Sequence, residues 1–244
     1  MPDKRTHRGA HPDDARLFAA DQWPALCGAL ADLCWLLDRG YAGRSALALV
    51  GDRHGLSQRQ RIAVARCACS KDQYTRRAAH EVEVAAVAGD EVWLDGYNVL
   101  ITIESALADG VLIVGRDGCL RDMASLHGSY RRVEETAPAL QLIGAALGAA
   151  GVVSSHWLLD RPVSNSGRLK AIMEELAAAN GWAWTVELAF NPDKVLRDTD
   201  AIVASSDSLV LDGCGRWINL ARWIVATHLP DAPVLTLGPA SDMR

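Results

Sequence analysis

Three apolar runs of the chain end in an aspartate: EVWLD at Asp95, HWLLD at Asp160 and VASSD at Asp207. If those runs are parallel strands of one open sheet, their carboxyl ends meet on one rim, where such sheets bind ligands. Three carboxylates brought to one rim repel one another. A hard divalent cation relieves that repulsion, and carboxylate oxygens with retained waters are what Mg²⁺ or Mn²⁺ accepts. The chemistry expected of such a rim is hydrolysis at phosphorus, with the cation activating water and offsetting charge. Asn98 follows in DGYN, placed to orient the ligand shell or a phosphate, and Gly96 leaves room for a sharp exit from the strand. An aspartate after a strand can instead open a turn or cap a helix. Three of them, each after a strongly apolar run, favour the metal rim.

Other residues point to phosphate. RPVSNSGRLK follows Asp160. It places Ser164, Asn165, Ser166 and Gly167 at a helix N-terminus, where free N–H groups and the helix dipole attract anions. Arg161, Arg168 and Lys170 add positive charge beside it. Simple N-capping by Ser164 or Ser166 explains the same residues. The stretch is neither a Walker loop nor GxGxxG, so no nucleotide cofactor is indicated. Cys67-Ala-Cys69 is not a CxxC pair, and the histidines form no HxH or HExxH pattern. His54 and His127 fall in polar contexts from which a side chain could touch phosphate.

The formal net charge is −5, unevenly spread. Between Arg44 and Arg77 eight basic residues face two acidic ones, so that segment is +6 and the remainder −11. A basic segment beside an acidic remainder fits a surface that meets a polyanion next to a site needing carboxylates. Arg53, Arg59 and Arg66 would then touch a nucleic-acid backbone without reading its sequence. A solvated helical face accounts for the charges equally well.

The elements that would position these groups fall into two grammars. Residues 12–80 are helical in pattern: Leu26, Leu30, Leu33 and Leu37 recur at helical spacing, Gly40 stops that run, and Ser57 is placed as an N-cap. From about residue 82, short apolar strands at 91–95, 111–115, 152–160, 182–188, 201–207 and 232–237 alternate with helices at 98–108, 134–149, 164–180, 192–198 and 218–229. Alternation of this kind predicts a mainly parallel sheet covered on both faces. The division is 1–80, all-helical, and 81–244, α/β. The start MPDKRTHRGAHPDDAR has no apolar core of a signal peptide, and no apolar stretch is long enough to span a membrane. The six cysteines form no paired framework, which fits a reducing cytoplasm.

LDGYNVL, then LLDRPVSNSG, then ASSDSLVLD resemble the PIN-like nuclease superfamily and its NYN branch over about residues 90–240. The pairing of RGY…ALALVGDRH…QR with DGYNVLITIE and DRPVSNSGRLK resembles the DUF434/DUF5616 proteins over about residues 12–225. The resemblance implies a Rossmann-like, PIN-type three-layer domain with an acidic, Mg²⁺- or Mn²⁺-dependent nuclease site, acting on nucleic acid and on RNA first. It matches Asp95 to the first PIN-like aspartate, Asn98 to the NYN-like asparagine, Asp160 to a second strand-end acid and Asp207 to the late aspartate. It makes Asp212 an additional acid and asks for a glutamate from a helix. Glu104, Glu134, Glu135 and Asp122 are candidates for that place, with Glu135 preferred. Two other readings stay open: a non-catalytic nucleic-acid-binding protein with a degenerate site, and a hydrolase or phosphotransferase for a small phosphorylated substrate.

Overall fold

Two serines start two of the N-terminal helices in the same way. The Ser57 hydroxyl accepts from the Gln60 N–H, while the Gln60 side chain accepts from the Ser57 N–H. Ser70 and Gln73 repeat the arrangement. Each reciprocal pair satisfies two of the donors that a helix start leaves open. The helices so placed are α4 (Gln58–Cys67) and α5 (Lys71–His80), preceded by α1 (Asp14–Leu17), α2 (Trp23–Leu37) and α3 (Gly43–Arg53). The structure, a computed structural model, describes residues 6–124 and 130–237. His127 lies outside the described residues.

The α/β part runs β1 (Glu91–Asp95), α6 (Gly96–Leu107), β2 (Leu112–Val114), β3 (Leu120–Asp122), α7 (Thr136–Ala149), β4 (Ser154–Asp160), α8 (Ser166–Asn180), β5 (Trp184–Ala189), α9 (Pro192–Asp198), β6 (Ile202–Ala204), α10 (Ser208–Leu211), β7 (Trp217–Ile218), α11 (Leu220–His228) and β8 (Val234–Thr236). Five strands form one parallel sheet in the order β5-β4-β1-β6-β7. One face packs on α6, α7, α8 and α11 through Leu100, Ile103, Leu140, Met173 and Ile224. The other packs on α9 and α10 through Leu196, Val210 and Leu211. A sheet covered on both faces needs apolar side chains on both, hence the near-continuous runs.

A single sheet was the sequence expectation, and here the structure differs. β2 and β8 leave the main sheet and join β3 in a second one, ordered β3-β2-β8, with β2–β3 antiparallel. That small sheet carries the helical part: Ile113, Met123 and Leu237 share a core with Leu26, Leu33, Val64 and Cys67. The three-residue β3 and two-residue β7 are too short for a periodic signal. Trp217 lies in β7, fully buried, and its indole N–H donates to the Arg77 carbonyl at 2.8 Å. Trp35 is exposed, with the Arg39 guanidinium 3.6 Å from its ring centroid. Among the described residues no helix is long and apolar enough to cross a membrane.

Candidate functional site

β1, β4 and β6 are neighbours and parallel, so their carboxyl ends deliver Asp95, Asp160 and the Ser205–Asp207 turn to one edge. The turn is tied to β1. Ser205 donates its hydroxyl to Asp95 Oδ2 at 2.8 Å and accepts from the Asp207 N–H at 3.0 Å. Ser206 donates its N–H (2.8 Å) and its hydroxyl (3.0 Å) to Asn98 Oδ1. Arg121 Nε donates to the Ser206 carbonyl at 2.9 Å. Asn98 therefore grips the turn that carries Asp207. Gly96 answers to a different need: a β-carbon there would lie 2.7 Å from the Leu158 carbonyl oxygen, closer than packing tolerates. Asp207 also caps α10, accepting from the Leu209 and Val210 N–H groups. Capping and rim placement thus coexist in one residue.

The edge opens into a cleft of about 690 Å³ between the sheet and the N-terminal helices. Asp95, Asp160, Asp193 and Asp207 line one side; Arg44, Arg61 and Arg66, from α3 and α4, line the other. Asp193, absent from the sequence-based set, enters from the first turn of α9, just past β5. The signal was there in AFNPDK, where Asp193 follows Pro192 at the next strand's exit, but it reads as an ordinary helix start. None of the four aspartates has a lysine, arginine or histidine within ion-pair distance among the described residues. Burial pushes the Asp95 carboxyl up to about 7; the Ser205 hydroxyl opposes this, and the charges of Asp207 and Asp193 add to it. Burial, then Asp193, raises Asp160; burial, then Asp207, raises Asp193. These carboxyls therefore feel one another along the rim.

The donor set is hard oxygen, which suits Mg²⁺ or Mn²⁺ rather than a soft metal. Among the described residues, though, no three His, Cys, Asp or Glu side chains come together closely enough to hold a metal ion. One or two of these carboxylates could hold such a cation only with water and substrate oxygen completing its shell.

Across the cleft the arginines differ. Arg61 is engaged by the Leu56 and Ala48 carbonyls and Asp52, and Arg66 by Asp122 and the Ala124 carbonyl. Arg44 is exposed and makes no ion pair among the described residues.

A family model described as a domain of unknown function (DUF5616) matches residues 84–223, more than half of the chain. The chain belongs to the DUF5616 family. A second model, described as a protein of unknown function (DUF434), matches residues 25–79. The uncharacterized protein MJ0935 of Methanocaldococcus jannaschii is 27% identical over 180 residues, covering 74% of this chain and 86% of that relative. No solved structure matches. The DUF5616 region carries all four aspartates and the DUF434 region the three arginines, so the cleft lies where the two matched regions face each other.

Several sequence-derived candidates lie elsewhere in this DUF5616 chain. Asp212 is bound by Arg77 and by Gln73. Glu135 is buried and taken by His7, at 2.6 Å, and by the Arg8 N–H. Glu104 is fully buried among Arg8, Tyr130 and Thr136. None of these three lines the cleft. Arg53 pairs with Asp32, and Arg59 with Asp14 while reaching the Met123 carbonyl; both stay outside it. Ser164, Asn165, Ser166 and Arg168 are also away from the cleft, with Asn165 and Arg168 lining a separate pocket.

Proposed function

We propose that the cleft binds a phosphodiester chain, with RNA the first candidate. The observation that supports this best is the facing of a guanidinium wall and a carboxylate rim across a cavity open to solvent. Arg44 offers an unspent positive charge to a backbone phosphate, and such contacts are independent of sequence. Arg61 and Arg66, already engaged on one side, narrow the cleft and add field rather than new bonds. The parallel order β5-β4-β1-β6-β7, with acids at the ends of β1 and β4 and just beyond β6, supports reading the α/β part as PIN-like.

A second reading adds hydrolysis. It is favoured by the four rim carboxylates that lack a paired cation among the described residues, because a phosphate meeting them needs positive charge between. Asp95, Asp160, Asp193 and Asp207 are the residues that would hold Mg²⁺ or Mn²⁺, which would polarise a phosphoryl oxygen and lower the pKa of a bound water. Asn98 and Ser205 contribute by fixing the turn on which Asp207 sits. Binding is the primary reading because no three of these acids converge as they stand.

Incubating a labelled single-stranded RNA with the protein in Mn²⁺, in Mg²⁺ and in chelator, beside Asp160→Asn, separates the readings. Binding without cleavage in all three supports the binding protein. Metal-dependent cleavage that Asp160→Asn loses establishes the nuclease. No binding in any condition contradicts both and leaves the small phosphorylated substrate.

A further inference from the structure

A second concave site lies on the other side of Tyr130. Arg131 and Arg132 approach it from the segment before α7, and Arg168 and Asn165 from the start of α8, over an apolar floor of Leu169 and Ile172. Its volume is about 250 Å³. All three arginines are exposed, and none forms an ion pair among the described residues. The acids nearby are already spoken for: Glu104 by Arg8, Tyr130 and Thr136, Glu135 by His7, and Glu134 faces His7 at 3.7 Å.

The start of α8 is unusual. Asn165, with φ of 71°, makes no capping bond; its side-chain amide donates instead to the Tyr130 carbonyl at 2.9 Å. That bond spends the natural cap on fixing the pocket wall. It leaves the positive end of a fifteen-residue helix with no side-chain acceptor, beside Arg168. Three guanidinium groups gathered without a counter-charge repel one another, and an anion that bonds to them removes that cost. Guanidinium groups donate in planar forks that match phosphate oxygens.

We propose that this pocket is a phosphate-binding subsite, and that it takes a phosphate of the same chain whose backbone enters the cleft. The second half rests on the RNA-binding reading above. The two places lie close together: Tyr97 lines the cleft and Tyr130 the pocket, both are buried, and their ring centroids are 5.2 Å apart, so this ring pair is the wall between them. A strand of nucleic acid that spans this wall would bring one phosphate to the aspartate rim and another to Arg168 and Arg132. The same chemistry also accepts a free phosphate or a small phosphate ester.

The test is equilibrium binding of a labelled single-stranded 20-nucleotide RNA across a salt series, with a parallel ³¹P NMR titration of inorganic phosphate. The variants are Arg132→Ala/Arg168→Ala, Arg132→Lys/Arg168→Lys and, as the cleft control, Arg44→Glu. If the pocket holds a backbone phosphate, the alanine pair weakens RNA binding about tenfold. It also flattens the salt dependence by about 0.7 in log–log slope, the contribution of the one phosphate neutralised on a single strand. The lysine pair restores the slope. If RNA binding is unchanged but the alanine pair loses inorganic phosphate, the pocket serves a free phosphate source and the backbone assignment is overturned. If neither ligand responds while Arg44→Glu weakens RNA, the pocket proposal fails and the cleft reading stands. If no variant alters RNA binding, the cleft reading fails as well.

Discussion

Two clusters of carboxylates in this molecule are built in opposite ways. One is the buried knot of Asp117 with Arg77 and Arg121, extended by Asp212, which joins α5, the β2–β3 turn and the end of α10. Burial opposes charge there, yet Arg121 and then Arg77 outweigh it and hold Asp117 at about 2. The other is the cleft rim, where burial and mutual repulsion push Asp95 up to about 7 and, among the described residues, no cation is paired with it. The first cluster is neutralised from within the protein and fastens the helical part to the sheet. The second has no such partner among the described residues, and under the proposed reading a ligand meets its charge.

The largest effect expected from this contrast is at Asp117. Asp117→Ala strands the buried Arg121 guanidinium and leaves Arg77 only Asp212, and should cost on the order of 3–5 kcal/mol in urea unfolding, enough to threaten the fold. Retention of full stability would place Arg77 and Arg121 in reach of water and dissolve the comparison.

The two clusters should also titrate with opposite sign. Asp95 is raised, so its share of stability is present below the ordinary carboxylate range and is lost as pH climbs through about 7. Relative to Asp95→Asn, the wild type should lose on the order of 3 kcal/mol between about pH 4 and pH 8. Asp117 is lowered, so its contribution is present above the ordinary range and disappears only as pH falls through about 2. Parallel pH-stability curves for wild type and Asp95→Asn would show that folding does not raise the Asp95 carboxyl.

Asn98→Ala removes the acceptor of two bonds from Ser206 and should cost about 1–2 kcal/mol, while loosening the turn that carries Asp207. A loss of RNA binding larger than the loss of stability would mark the turn as functional. Smallest is Asp193→Asn. Removing one charge from an unpaired group of four should change stability by less than about 0.5 kcal/mol. It should also reduce any thermal stabilisation that millimolar Mn²⁺ gives the wild type, since a ligand raises stability only through residues that hold it.

Much of this was readable from residue order. DGYN, HWLLD and SSD marked the rim because a parallel sheet turns strand ends into neighbours, and a period of two or 3.6 identifies the elements. The serine cap of α4 was visible at Ser57 for the same local reason. What could not be read depended on long-range partners. Nothing at Asp212 announces Arg77, and nothing at Glu135 announces His7, more than a hundred residues away. Asp193 looked like any acid in a first helical turn. The departure of β2 and β8 into a second sheet follows from the apolar face that helices α2–α4 must cover, a requirement no strand carries in its own sequence.

The most direct test of the cleft is the affinity of a labelled single-stranded RNA for wild type and Arg44→Glu, measured across a salt series. Arg44 is exposed and unpaired among the described residues, so the substitution leaves the fold alone. The account predicts weaker binding and a log–log salt slope shallower by about 0.7, the signature of one phosphate no longer neutralised. Identical affinities and identical slopes for the two proteins would contradict it.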